Sequence, residues 1–243
     1  MPYRRLPNTD NARLKALKTA FDKGKEMPPF KLAFSQSILQ RIISFLPKYE
    51  KAILHQKDAL NRQTSKNKEY HSQMKKARLY ISHFIQVVNM AVQRGELPSN
   101  IRDFYNLNGY GKKLPPLHCE EDILKWGKNI IEGESVRIRK GLSPVTNPTV
   151  AVVKVRYEKF HEAFRNQKNL QEANVRALKE LSNLRPEADD IILNIWNEVE
   201  DSFKDLPDNL KREKASGYGL VYVFRRNELN NPSLFGSPKL GIS

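Results

Sequence analysis

The chain has a single cysteine, Cys119, among 243 residues, so no internal disulfide can form. That usage fits a reducing compartment, and a cytoplasmic setting is the expectation. Long apolar runs are missing as well. The most apolar stretch, Tyr80 to Val92, is broken by Ser82, His83, Gln86 and Asn89. It is too short and too polar to cross a bilayer, so no membrane partner is expected. Met1-Pro2-Tyr3-Arg4-Arg5 leads into no apolar run, and no secretory leader is expected. Acidic residues are scarce: 27 Asp and Glu face 42 Lys and Arg, a net charge of +15.

The charge surplus is uneven along the chain. Residues 1–120 hold 22 Lys and Arg against 9 Asp and Glu, whereas residues 121–243 hold 20 against 18. Such asymmetry points to a polyanionic partner on one side of the molecule. The alternative is that a basic surface serves solubility and nothing more.

What is present is helical periodicity. Thr9 or Asp10 can cap a first helix carrying Leu14, Leu17 and Phe21, with Gly24 as its stop. The next seam, Ile38, Ile42, Phe45, Tyr49, Ala52, Gln56 and Ala59, alternates steps of 4 and 3. Pro47 falls inside it and is expected to kink or split that helix. A break at Thr64-Ser65 is expected to start a third helix, with Tyr70, Met74, Ala77, Ile81, Phe84, Val88 and Ala91 as its seam and Arg94-Gly95 as its end. These two would lie antiparallel as the spine of a bundle.

Residues 105–118 read as a loop. The helix after it carries Ile123, Trp126, Ile130 and Ile131 and is expected to end near Gly133. Asn147-Pro148 reads as a cap with proline at the first helical position. The valine-rich stretch from Thr149 to Tyr157 would pass locally for a strand. Val150, Val153, Tyr157, Phe160 and Phe164 continue the helical spacing, so a helix to about Leu184 is expected. Pro186 would open another helix, with Asp189 and Asp190 in its first turn and Ile192, Ile195, Trp196, Val199 and Phe203 on its face. A short strand is expected near 218–225, and residues 227–243 read as a disordered tail.

The two halves echo each other. Tyr49-Glu50-Lys51 recurs as Tyr157-Glu158-Lys159, and Gly109-Tyr110-Gly111 as Gly217-Tyr218-Gly219, both 108 residues later. A shift of 109 pairs Leu17 with Trp126, Phe21 with Ile130 and Gly24 with Gly133. The order of elements repeats too. The fold expected is all-α: two duplicated helical-bundle halves, 1–118 (strongly basic) and 119–226, packed with pseudo-two-fold symmetry as in a fused dimer. The repeated Gly-Tyr-Gly marks a turn with positive backbone angles and an anchoring aromatic.

Three stretches carry a family resemblance: Tyr3-Arg-Arg-Leu-Pro-Asn-Thr-Asp10, the run from Ala77 to Asn89, and Ile195-Trp-Asn-Glu-Val-Glu200. They resemble a family of uncharacterised helical proteins from Bacteroidetes bacteria. The resemblance brings no activity, ligand or catalytic residue. It implies a bacterial, cytoplasmic protein.

No catalytic constellation emerges, and no cofactor or metal is expected. Glu158-Lys-Phe-His161 has the Glu-x-x-His spacing of di-iron bundles, but its counterpart Glu50-Lys-Ala-Ile53 lacks the histidine, so the set is half complete. His118-Cys119-Glu120-Glu121 groups reactive types that read better as a helix start with acids in its first turn. Gly109-Tyr-Gly-Lys112 lacks the first glycine and the hydroxyl residue of a phosphate loop. Gln56, Gln167, Gln171 and Asn174 lie on or near seams, where amides fix register between helices.

The candidate site is therefore basic. Arg4, Arg5, Arg13, Lys15 and Lys18 form one group, and Lys66, Lys68, Lys75, Lys76 and Arg78 another. Converging, they would hold phosphates without reading bases. The competing reading is a solvated helix face. The expected function is a non-enzymatic binding or scaffold protein that contacts a polyanion such as nucleic acid through its basic N-terminal half. The alternative is a protein-interaction or structural module without nucleic acid.

Overall fold

The computed structural model describes residues 3–223. The tail read at 227–243 lies outside the described residues. The fold is all-α apart from one short pairing of strands. Helix α1 spans Asp10–Glu26, α2 Gln36–Gln93, α3 Glu120–Arg139, α4 Val150–Ser202 and α5 Asp208–Ser216. Strand β1, Tyr3–Arg4, pairs antiparallel with β2, Tyr222–Val223, placing Tyr3 opposite Val223 and Arg4 opposite Tyr222. The short strand expected near 218–225 is thus present. Among the described residues, no helix is long and apolar enough to cross a membrane.

Two breaks expected from the sequence do not occur. The helices expected on either side of Thr64-Ser65 are one helix, α2, of 58 residues. Residues 61–66 offer neither glycine nor proline. The Thr64 and Ser65 hydroxyls donate to carbonyls of the preceding turn, Thr64 Oγ1 to the Leu60 oxygen at 3.0 Å and Ser65 Oγ to that of Arg62 at 3.0 Å. Bonds of this kind are compatible with a running helix. Pro47 lies within α2 and Pro186 within α4, a helix of 53 residues. Both prolines are exposed. Each removes one backbone donor, but the partner carbonyl then faces water rather than the core, which keeps the loss tolerable. The spine expected from two successive helices is instead formed by α2 and α4.

At two places glycine, expected as a helix stop, is instead a contact. α1 continues through Gly24 and α3 through Gly133. A Cβ on Gly24 would run into the Leu39 side chain, and one on Gly133 into the Phe104 carbonyl. The two differ in what must yield. Leu39 can rotate, whereas the Phe104 backbone cannot. In an ordinary helix Gly→Ala stabilises by about 1 kcal/mol. Gly133→Ala is expected to reverse that sign and lose roughly 1–3 kcal/mol through overpacking, while Gly24→Ala loses less. Paired urea denaturation curves of the two variants check it. Equal stabilisation of both would contradict the contact. Asn147-Pro148 also departs from expectation. Asn147 takes the left-handed region at φ 53°, and α4 begins only at Val150.

The chain divides into two compact units that cut across the sequence halves: residues 1–58 with 175–243, and residues 59–174. This differs from a division at residue 118. Each unit takes one part of α2 and one part of α4. The first adds α1 and α5, the second adds α3 and the 3-10 turn Ser99–Tyr105.

In the first unit, Arg41 faces Asp190 and His55 faces Glu180, so α2 and α4 run antiparallel. Leu17, Ile42, Tyr49, Ile192, Trp196 and Val199 build its core. In the second unit, Asn174 Nδ2 donates to Gln63 Oε1 at 2.9 Å and Tyr70 packs on Phe160, again antiparallel. Ile81, Phe84, Ile85, Trp126, Ile130 and Phe160 build that core. Burying each such side chain contributes about 1.5–3 kcal/mol. Both seams read from the sequence lie inward, with only Gln56 and Met74 half-buried. The Gly-Tyr-Gly turns behave alike. Gly111 and Gly219 take φ of 53° and 91°. Tyr110 meets Trp126 edge-on at 5.3 Å, and Tyr218 meets Phe34 edge-on at 6.0 Å.

Candidate polyanion interface

Regrouping the sequence by compact unit changes the charge picture. The unit of residues 59–174 holds 20 Lys and Arg against 11 Asp and Glu, a surplus of 9. The other holds 22 against 16, a surplus of 6. The excess of the first sequence half is therefore not an excess of one unit, because both units draw on both halves. Of the ten basic candidates, five fall in each unit.

In the first unit, three of the five are already paired. Arg4 Nη1 meets Glu200 Oε2 at 3.1 Å, and Lys18 Nζ meets Glu50 Oε1 at 2.6 Å. Arg13 grips Asp189 with two bonds, Nε to Oδ1 at 2.7 Å and Nη2 to Oδ2 at 3.0 Å. A bidentate pair of this geometry holds Arg13 to the protein rather than to a ligand. Asp189 and Asp190, expected in the first turn of a helix, sit inside α4. They bind Arg13 of α1 and Arg41 of α2. Sequence spacing could not show this, because the partners lie 176 and 149 residues away. Arg5 and Lys15 remain, both exposed and without an ion pair among the described residues.

In the second unit, Lys66 Nζ meets Glu69 Oε2 at 3.1 Å. Both side chains are more than half exposed, so the pair contributes little. Arg78 is turned inward, its Nη2 donating to the His118 carbonyl at 2.9 Å. Lys68, Lys75 and Lys76 are exposed and make no ion pair among the described residues. Spacings of 7 and 8 place all three on one side of α2, away from the seam at Tyr70, Met74 and Ala77. The structure thus narrows five candidates in this unit to a three-lysine face.

A polar cavity of about 440 Å³ lies in the same unit, between α2 and α4, lined by Tyr70, Gln73, Lys159, Glu162 and Gln167 among others. Gln167 is 7% exposed, and its Oε1 and that of Gln73 accept no hydrogen bond among the described residues. Of the seam amides, Asn174 does lock α2 to α4, as expected of such residues. Tyr70 donates to Glu120 Oε1 at 2.6 Å. Burial first, and this bond second, hold its phenol well above the ordinary range.

The remaining constellations resolve into structural contacts. Cys119 caps α3, with Asp122 accepting from the His118 and Cys119 backbone N–H groups. His161 stacks on Tyr157, and Glu158 reaches Lys154 at 3.8 Å. Among the described residues, no three His, Cys, Asp or Glu side chains gather in a way that could hold a metal ion. Glu134 and Arg137 lie beyond the helix end expected near Gly133, in a stretch that reads from the sequence as a basic linker, yet they belong to α3 and are buried, at 0% and 1% exposure, bound to each other and to Tyr105. An i, i+3 acid–base pair on an apolar face was the available signal. Comparison with family models, with curated proteins and with solved structures finds no match.

Proposed function

We propose that the protein is a non-enzymatic binding protein that holds a polyanion, with the nucleic-acid backbone as its ligand class, through Lys68, Lys75 and Lys76 of α2. The observation that carries the reading is the exposure of these three ammonium groups on one helical face without acidic partners among the described residues. They belong to the unit with the larger cationic surplus. Lysines in this setting act as point charges toward phosphates and carry no base readout. The affinity follows from counterion release and is independent of sequence.

The test is binding to a mixed-sequence DNA duplex and to a single strand of RNA across a salt series. Binding is expected to weaken steeply with salt. A Lys68→Glu/Lys75→Glu/Lys76→Glu variant is expected to lose at least about tenfold in affinity at low salt, and its log–log salt slope to shallow by roughly 0.9 for each duplex phosphate contact removed. An Arg13→Gln variant serves as the control, because Arg13 is committed to Asp189. Binding that is absent at 50 mM salt, or unchanged in the triple variant, overturns the reading. A protein-interaction module would then be the better account.

A further inference from the structure

The first unit contains a second feature that the polyanion reading does not use. An apolar cavity of about 680 Å³ opens between the N-terminal segment, one face of α1 and the turn after α5. Leu6, Pro7, Ala16, Leu220 and Trp196 supply its walls. The size lies in the range of small-molecule pockets, about 300–1,000 Å³. One further observation says what it takes. Among the described residues, the only charged ones in its lining are Arg5 and Lys15, and neither makes an ion pair there. Trp196 lies in the wall of the same cavity, so its emission can report what enters.

From this juxtaposition of an apolar chamber and two uncompensated cations at its rim, we propose that the cavity binds an amphipathic monoanion, a long-chain carboxylate. The chain lies against Leu6, Pro7 and Leu220, and the carboxylate is held by Arg5 and Lys15. Charge decides against one intramolecular competitor. Residues 224–243 carry Arg225, Arg226 and Lys239 against a single acid, Glu228, so that segment matches the sign of the rim. Charge also decides against a cationic or neutral amphiphile, which would leave both rim cations without a counter-charge.

The site is independent of the lysine face on α2, so the two proposals fail separately. Dodecanoate, kept below its micelle concentration, is titrated into full-length protein carrying Trp126→Phe, so that Trp196 alone reports. Calorimetry runs alongside. Saturable, one-to-one binding with a change in Trp196 emission is expected. Dodecyltrimethylammonium, with the same chain and opposite head, is expected to bind at least about tenfold more weakly, the equivalent of 1.4 kcal/mol. In an Arg5→Glu/Lys15→Glu variant the preference should invert, which a merely unfolded variant cannot do. Equal affinity for both heads, no saturable binding, or binding only to phosphatidylglycerol vesicles and not to free dodecanoate would overturn the assignment.

Discussion

Replacing Arg137 by methionine is expected to lower the stability of the unit of residues 59–174 by about 3–5 kcal/mol, the cost of leaving a buried charge without its partner. Arg137 Nη1 donates to Glu134 Oε2 at 2.6 Å and to the Tyr105 hydroxyl at 2.9 Å, and Nη2 donates to the Ser143 carbonyl at 2.8 Å. Glu134 also accepts from the Tyr105 hydroxyl and, through Oε1, from the Val145 backbone N–H at 2.6 Å. The pair therefore ties α3 to the 3-10 turn Ser99–Tyr105 and to the chain leading into α4. Methionine fills the volume but strands the carboxylate. Burial and the bond to Glu134 push the Tyr105 phenol far above its ordinary range, so it stays a donor and cannot take over.

Changing both partners, Glu134→Leu with Arg137→Met, removes the stranded charge. That variant is expected to be no less stable than Arg137→Met alone, although Tyr105, Ser143 and Val145 each lose a hydrogen bond worth about 1 kcal/mol. Trp126 belongs to this unit's core and Trp196 to the other. Denaturation followed in a Trp196→Phe background thus reports the affected unit directly. Loss of less than about 1 kcal/mol in Arg137→Met, against the 3–5 expected, would mean that the pair is not buried in solution.

Helix existence and the inward faces were legible in the sequence because both are local. Ile38, Ile42, Phe45 and Tyr49 repeat at the helical period, and no tertiary contact is needed to read them. The breaks were not legible. Pro47 and Pro186 carry the same local signal whether their rings face core or solvent, and only tertiary placement decides which carbonyl goes unpaired. The same holds for glycine. Gly95 ends α2 at φ 75°, with Glu96 N donating to the Ala91 carbonyl at 3.0 Å, while Gly24 and Gly133 leave room for Leu39 and Phe104.

The basic candidates show the same limit. Arg13 and Lys15 are indistinguishable by composition, yet one is clamped by Asp189 and the other lines a cavity without a partner. Cation clusters in a sequence measure supply, and the acids that fold against them decide which remain available. Interleaving of the halves has the further effect of spreading a surplus that looked one-sided along the chain.

Asp10 is where the first unit should show its pH dependence most clearly. It opens α1 and accepts three hydrogen bonds from two residues: Arg185 Nε and Nη2, each at 2.9 Å, and the Tyr49 hydroxyl at 3.0 Å. Arg13 stands 3.7 Å away. Desolvation by burial works to raise its pKa, but the bonds from Arg185 and Tyr49, with the charges of Arg185 and Arg13, outweigh it and hold the carboxyl below its usual range. A carboxyl whose folded pKa is depressed binds its proton more readily in the unfolded chain. Its contribution is therefore complete above the unfolded value, about 3.9, and is lost as pH falls through the lower, folded value.

Asp10→Asn keeps the shape and the acceptor for Tyr49 but removes the charge that Arg185 and Arg13 share. A loss of about 2 kcal/mol at pH 7 is expected, the scale of a hydrogen bond to a charged group. The gap between wild type and variant should then narrow below about pH 4 and vanish once the wild-type carboxyl is protonated in both states. Urea denaturation at pH 7, 4 and 2.5, followed by Trp196 in a Trp126→Phe background, measures that gap directly. A gap that is constant with pH would assign the loss to packing and remove the ionised carboxylate from the account. Tyr49→Phe separates the remaining contact. Burial, then the bond to Asp10, raise the Tyr49 phenol above its ordinary range, so its hydroxyl stays protonated throughout. Its removal should cost about 1 kcal/mol, and without that donor the Asp10 carboxyl should titrate at a higher pH than in the wild type.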